Sequence, residues 1–258
     1  MPNLNQLIEI NKKYNKIYKI NHRNKIIENL QSKKKLLKAA AFDIDSIVEH
    51  FDLSKYNSKA DFKSELINFF ESNSKSEVVF LFIDICSFSE KILRWNNDKI
   101  NKFLNSYYQK AFYIITDNYG QIEKLMGDGI VCVFGKPFIS TSKRAEFFFA
   151  ENCAKELIEA FSGTKFEIKV ALHSGSVKYY KTPVGYAEYT MIGRPITELY
   201  RLESISENNS VNFYTGSIYD QKIYNANLSS LNDYCVEGQK NVRLQGVMYK
   251  QIKYLTLW

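Results

Sequence analysis

An α+β fold is predicted by three features of this 258-residue chain. The pattern changes after residue 76 from helical spacing to short apolar runs alternating with amphipathic segments. The segments come in the order β-α-β-β-α-β, and the turn Gly127-Asp128-Gly129 closes a hairpin between two of the runs. Before the change, Leu4, Leu7, Ile8, Tyr14, Ile17 and Tyr18 recur at steps of three and four with Lys and Asn between them, the spacing of an amphipathic helix. A second helical region is expected from about Phe42 to Phe70, broken around Asn57-Ser58. The polar stretch Ser72-Asn73-Ser74-Lys75-Ser76 ends this part, so the expected division is a basic helical extension over residues 1–75 and a domain over 76–254.

Val78 to Ile85 is almost continuously apolar, as in a strand buried on both faces. A helix is expected from about Asp98 to Asp117, then strands over Gly120 to Leu125 and Ile130 to Phe134, and a helix over Ser142 to Phe161. A strand from Phe166 to His173 runs into Ser176 to Tyr180. A helix over Ile196 to Ser206, a strand over Val211 to Tyr214 and a closing strand near Val247 to Ile252 complete the series. This is a ferredoxin-like βαββαβ core with additions, for which an antiparallel sheet with helices on one face is expected.

Composition narrows the function. Ten of the Lys and Arg residues fall within residues 1–38 against only Glu9 and Glu28, a local charge of +8, so the rest of the chain carries −1 of the total +7. The basic balance belongs to the extension, and nucleic-acid binding by the main domain is not expected. There is no run of eighteen apolar residues and no apolar stretch near the N-terminus, so no transmembrane segment or secretory signal is expected, and a cytoplasmic location is. Cys86, Cys132, Cys153 and Cys235 are scattered without a Cys-x-x-Cys pair and are expected as reduced structural thiols. His22, His50 and His173 are isolated and compose no His-ligated or Ser-His-Asp site. Catalysis, if present, rests on carboxylates.

Two carboxylates stand out. Asp84 ends the run Val78-Val79-Phe80-Leu81-Phe82-Ile83, and Asp128 sits at the hairpin turn before Ile130-Val131-Cys132-Val133-Phe134. If the first strand neighbours the hairpin, its end and the hairpin tip meet in space. A pair of carboxylates on one or two divalent ions suits phosphoryl or nucleotidyl transfer, and oxygen ligands suit Mg²⁺ or Mn²⁺. After Asp84, Cys86-Ser87-Phe88-Ser89 opens a helix whose backbone N–H groups could face a phosphate.

The chain resembles the class III nucleotidyl cyclases, the adenylyl and guanylyl cyclases, over about residues 78 to 252. Four blocks carry the resemblance in order: Phe82 to Ser89; Lys124-Leu125-Met126-Gly127-Asp128 and the strand to Phe134; Lys169 to Gly175; and Tyr189-Thr190-Met191-Ile192-Gly193 through Arg201-Leu202-Glu203-Ser204. The resemblance implies attack of a ribose 3′-hydroxyl on the α-phosphate of its own nucleoside triphosphate, with loss of pyrophosphate. It implies two divalent ions on Asp84 and Asp128, assisted by the Ile85 carbonyl, with Ser87 and Phe88 in the phosphate segment. It also implies that a partner copy supplies Lys124 and Thr190 to read the base and Arg201 to stabilise phosphate charge, so that sites form at a homodimer seam.

Three positions depart from the family pattern. Thr197 stands where an Asn usually orients the ribose, Ser87 where glycine is usual, and Gln245 where a basic phosphate-binding residue is often found. Thr offers one hydroxyl in place of an amide donor and a carbonyl acceptor. These departures, the helical basic extension and the lack of a sensor domain are most similar to the Pycsar pyrimidine cyclases of bacterial antiphage defence. That implies UTP or CTP as substrate, cyclic UMP or cyclic CMP as product and a separate cyclic-nucleotide-sensing effector. An adenylyl cyclase is the alternative enzyme, and a degenerate domain that binds nucleotide without turnover is the alternative binding module.

Overall fold

Strand β1 (Lys75–Ile85) runs through the middle of the sheet and explains much of its construction. Its odd-numbered residues Val79, Leu81, Ile83 and Ile85 enter one apolar cluster, and Val78, Phe80 and Phe82 enter another. A strand apolar at both parities must be covered on both faces. The computed structural model describes residues 66–139, 141–181 and 189–257. The helix expected near residues 4–18, and the second helical region up to residue 65, lie outside them.

After β1 come a five-residue helix α1 (Phe88–Ile92), helix α2 (Asn97–Asp117), strands β2 (Gln121–Met126) and β3 (Gly129–Phe134), and helix α3 (Lys143–Phe161). Strand β4 (Ile168–Lys181), strand β5 (Tyr189–Ile192), helix α4 (Arg194–Glu203), strand β6 (Ser210–Tyr214), a π-helical turn at Asp220–Tyr224, strand β7 (Cys235–Asn241) and strand β8 (Gln251–Leu257) complete the order. The sheet runs β2-β3-β1-β4-β6-β8-β7, with β5 bonded to β4. All pairings are antiparallel except β4 with β6. The α+β class and the βαββαβ core agree with the sequence reading.

The capping chemistry is local. The Asn96 side chain accepts a hydrogen bond from the Lys99 N–H to start α2, and Ser142 Oγ accepts from the Ala145 N–H to start α3. Both helices pack on the face bearing Val79, Leu81 and Ile83, through Phe103, Tyr107 and Phe112 of α2 and Phe147, Ala154 and Phe161 of α3.

The expectation of helices on one face is corrected. Leu199 and Leu202 of α4 pack on the opposite face with Leu66 and Phe70 of the helical residues 66–71. Thus residues on the N-terminal side of the polar break contribute to the main core. The closing strand lies later than expected, at Gln251–Leu257, and β7, which pairs with it from Cys235↔Leu257 to Asn241↔Gln251, was not foreseen. All four cysteines are free thiols, three of them buried.

Candidate active site

Register brings the two carboxylates together. β1 pairs with β3 as far as Ile83↔Ile130, while β2 and β3 close at Met126↔Gly129. Gly127 and Asp128 therefore form a two-residue turn just beyond the last β1–β3 pair, next to Asp84. Gly127 supplies φ of +63° at the first central position, where glycine is favoured. At Gly129 a β-carbon would meet the Phe82 ring at 2.8 Å, so the hairpin seats closely on β1 because that side chain is absent. From α2, the Tyr108 hydroxyl donates to the Gly127 carbonyl and fixes the tip from the other side.

Asp128 accepts a hydrogen bond from the Ile85 backbone N–H, and its carboxyl group shares a hydrogen bond with that of Asp84. Directly opposite Asp84 in the β1–β4 register stands Lys169. Its Nζ lies 3.5 Å from Asp84 Oδ2 and 2.8 Å from Glu203 Oε1 at the end of α4. Two carboxyl groups thus flank one ammonium, Asp128 lies against the first of them, and all four groups are partly buried.

Electrostatics follow from that imbalance. Burial, then the charge of Asp128, push the Asp84 carboxyl up to about 6, with Lys169 opposing. Burial also raises Asp128, against hydrogen bonds from Asp84 and from the backbone of Asp128 and Ile85. Glu203 is raised by burial and lowered by Lys169. Burial works against the Lys169 ammonium but is outweighed by Glu203 and then Asp84, which hold it above its usual value. Fully ionised, the four groups carry a net −2, and a divalent cation is the natural relief.

The residues present fit such an ion: hard oxygen donors, one on rigid strand and one on a braced hairpin. Among the described residues no group of three or more His, Cys, Asp or Glu side chains forms a metal cage. A cation here would accordingly rest on Asp84, Asp128 and backbone such as the Ile85 carbonyl.

The other expected site residues are placed as follows. The Phe88 side chain stacks on Phe103 in the core, at 5.9 Å between ring centroids, so only its backbone faces outward. Ser87, the residue before α1, has φ of +52° and makes no side-chain cap. That left-handed conformation is the physical reason a glycine suits the position. Ser87→Gly is expected to stabilise the fold by up to about 1 kcal/mol, read as a higher denaturant midpoint; a lower midpoint would contradict the strain. With only five residues, α1 offers little helical dipole to an anion.

Thr197 and Arg201 are exposed one turn apart on α4, whose buried side bears Glu198, Leu199 and Leu202. At 100° per residue, Arg201 projects about 200° away from Glu203, which reaches Lys169 and the carboxylate pair. Lys124 is exposed on β2, and Thr190 is half-buried on β5. His173 is buried, with Nε2 3.1 Å from Glu198 Oε2. The structure therefore joins Asp84, Asp128 and the Ile85 backbone, and sets Thr197 and Arg201 on a separate, outward stripe.

Sequence reasoning assigned no role to Lys169 or Glu203. Both lie inside blocks quoted for the resemblance, Lys169 opening one and Glu203 two residues after Arg201. Pairing of the fourth strand with the first was the signal that would have placed Lys169 opposite Asp84.

Taken whole, the fold is that of a nucleotidyl cyclase catalytic domain. The chain belongs to the adenylate and guanylate cyclase catalytic domain family, whose model matches residues 70–250. Solved structures of the same fold include the adenylyl cyclase CyaB from P. aeruginosa, with 22% identity, a TM-score of 0.57, and coverage of 71% of this chain and 95% of that one. The guanylate cyclase domain of RhGC from Catenaria anguillulae, in complex with GTP, gives 19% identity, a TM-score of 0.58 and coverage of 71% and 98%. The non-canonical dimeric guanylyl cyclase domain of the RhoGC fusion protein from Blastocladiella emersonii gives 19% identity, a TM-score of 0.57, and coverage of 71% and 98%. At these identities the likeness is one of fold. Among curated proteins, none matches the sequence.

Proposed function

We propose that this domain converts a pyrimidine nucleoside triphosphate, UTP or CTP, into the 3′,5′-cyclic monophosphate and pyrophosphate. The observation that supports cyclisation is the convergence of Asp84 and Asp128 in one half-buried, acid-rich site, and the choice of a pyrimidine rests on the departures at Thr197, Ser87 and Gln245. The 3′-oxygen bonds to the α-phosphorus, the bond from that phosphorus to the β-phosphate bridging oxygen breaks, pyrophosphate leaves and the hydroxyl proton passes to solvent. Divalent ions, Mn²⁺ or Mg²⁺, when bound, acidify the 3′-hydroxyl and neutralise phosphate charge.

The residues of the chain do the rest. Asp84 and Asp128 hold and space the ions, and the Ile85 backbone fixes Asp128. Lys169 presents a point charge to triphosphate oxygens beside them. Arg201 projects away from its own carboxylate pair, so its guanidinium serves a site formed with a second copy, and Thr197 lies on the same stripe for the ribose. A homodimer with sites at the seam satisfies this geometry. Lys124 and Thr190 read the base: for uracil, the ammonium donates to O4 and the Thr190 hydroxyl accepts from N3–H. The product is a messenger for a separate effector in antiphage defence, made in the cytoplasm. No helix among the described residues is long and apolar enough to cross a membrane.

Incubating the purified protein separately with ATP, GTP, CTP and UTP plus Mn²⁺, and identifying products by mass, tests the reading. Cyclic UMP or cyclic CMP is expected to dominate. Conversion of ATP alone would replace the pyrimidine reading by an adenylyl cyclase, and a domain that binds nucleotide without product would be a degenerate one.

Metal removal has its own signature. Asp84 is raised from 3.8 to about 6, so the stability tied to its proton is complete below the lower value and lost as pH rises through the higher. Metal-free protein is therefore expected to melt at lower temperature as pH rises over that window, and Mn²⁺ to restore the loss above it. Asp84→Asn should flatten the metal-free slope and remove most of the Mn²⁺ response; a full response in that variant would contradict the assignment.

A further inference from the structure

A buried carboxyl group outside the metal pocket joins the two strands that carry Lys124 and Thr190. The β2–β3 register slips between Ile122 and Lys124, and Glu123 is the residue at the slip. A bulge re-aims side chains, and here Glu123 is only 5% exposed while Lys124, next to it, is exposed. The Glu123 carboxyl group accepts a hydrogen bond from the backbone N–H of Met191 on β5, the residue after Thr190. Its Oε2 has no hydrogen-bond partner.

We propose that Glu123 is a positioning residue for nucleotide selectivity, a tether that sets the separation of Lys124 and Thr190 and so decides which base fits between them. This rests on the reading of those two side chains as base-facing.

Burying a carboxyl group with an orphan oxygen costs stability, and an apolar residue would fill the place more favourably. What Glu123 supplies instead is a directed bond across a gap between two strands that share no ladder: among the described residues β2 pairs only with β3, and β5 with β4. Among the described residues, the groups facing it are the phenols of Tyr179 on β4 and Tyr200 on α4, and the Lys124 ammonium on its own strand. The Tyr179 hydroxyl, buried, also lacks a partner, while on the same face the Tyr189 hydroxyl of β5 donates to Glu71 Oε1 at 3.2 Å and holds the near end of that strand. Burial raises Glu123 to about 8, with Lys124 and the Met191 N–H opposing. Near neutral pH it is a neutral acid, which an amide can imitate. Selectivity that depends on two hydrogen-bonding groups is sensitive to their spacing, and displacement on the order of 1 Å can cost a hundredfold.

The test uses the full chain with Glu123→Gln and Glu123→Leu. The readouts are kcat/KM for each of the four nucleoside triphosphates, equilibrium binding of the same four, and melting temperature. Glu123→Gln is expected to keep the wild-type selectivity within about twofold, and Glu123→Leu to reduce the preference for the best over the next-best nucleotide by about tenfold, mainly through KM. As pH rises through about 8, KM for the preferred nucleotide should increase in the wild type and stay flat in Glu123→Gln. Should Glu123→Leu not fold, this pH comparison decides. A common reduction for all four nucleotides in Glu123→Leu, or an identical pH response in wild type and Glu123→Gln, would overturn the tether and leave Glu123 a structural residue. If the wild type converts none of the four, the cyclase reading fails separately. The tether is then judged by binding, where an unchanged order of affinities in Glu123→Leu overturns it.

Discussion

Asp84→Ala and Asp128→Ala are each expected to lower product formation by on the order of a thousandfold or more, with the fold retained. Losing a carboxylate from a metal pair removes several kcal/mol of transition-state charge stabilisation, and about 1.4 kcal/mol is a factor of ten. The pair is not redundant. Asp84 stands on the central strand opposite Lys169, and Asp128 depends on the Ile85 N–H and on a turn braced by Tyr108, so neither can move into the other's place. Stability should respond in the other direction. Each carboxyl group is raised by burial, so its removal relieves the metal-free protein above about pH 6. Product quantified by mass, together with melting curves without metal, checks both halves. An inactive variant that is also unfolded would point to a structural role, and an active variant would remove the metal assignment.

Arg201→Ala is expected to lower kcat by about a hundredfold or more, as removal of a donor to developing oxyanion charge typically does. Melting temperature should scarcely change, because Arg201 is exposed on α4. Arg201→Lys should recover only part of the loss, since an ammonium cannot reproduce the planar fork. The outward direction of Arg201 relative to Glu203 adds a second expectation. Mixing Asp84→Ala protein with Arg201→Ala protein should raise activity well above that of either alone, because a mixed dimer assembles one site with both groups intact. No recovery on mixing, with dimers verified to exchange, would place Arg201 in its own chain's site.

Much of this was legible in the sequence for definite reasons. Val78 to Ile85 is apolar at both parities, which marks a central strand, and Gly127-Asp128-Gly129 marks a tight turn; from these, the meeting of Asp84 and Asp128 followed. Less legible was whatever depended on partners distant in sequence. Lys169 and Glu203 read as ordinary charged residues until strand pairing and helix docking set them against Asp84. Helix α4 shows an apolar stripe, yet nothing local says which face of the sheet it covers. Strand β7, Cys235-Val236-Glu237-Gly238-Gln239-Lys240-Asn241, has no apolar alternation and exists as a strand because β8 pairs with it. Glu123 reads as a solvated strand residue, and only the register slip turns it inward.

The most direct measurement is the product of the wild-type protein and of Asp84→Asn, an isosteric change, incubated with UTP and Mn²⁺ and resolved by mass. Cyclic UMP and pyrophosphate in equal amounts from the wild type, and neither from the variant, is the predicted result. Equal product from both proteins would contradict the claim that Asp84 and Asp128 together hold the ions that drive cyclisation.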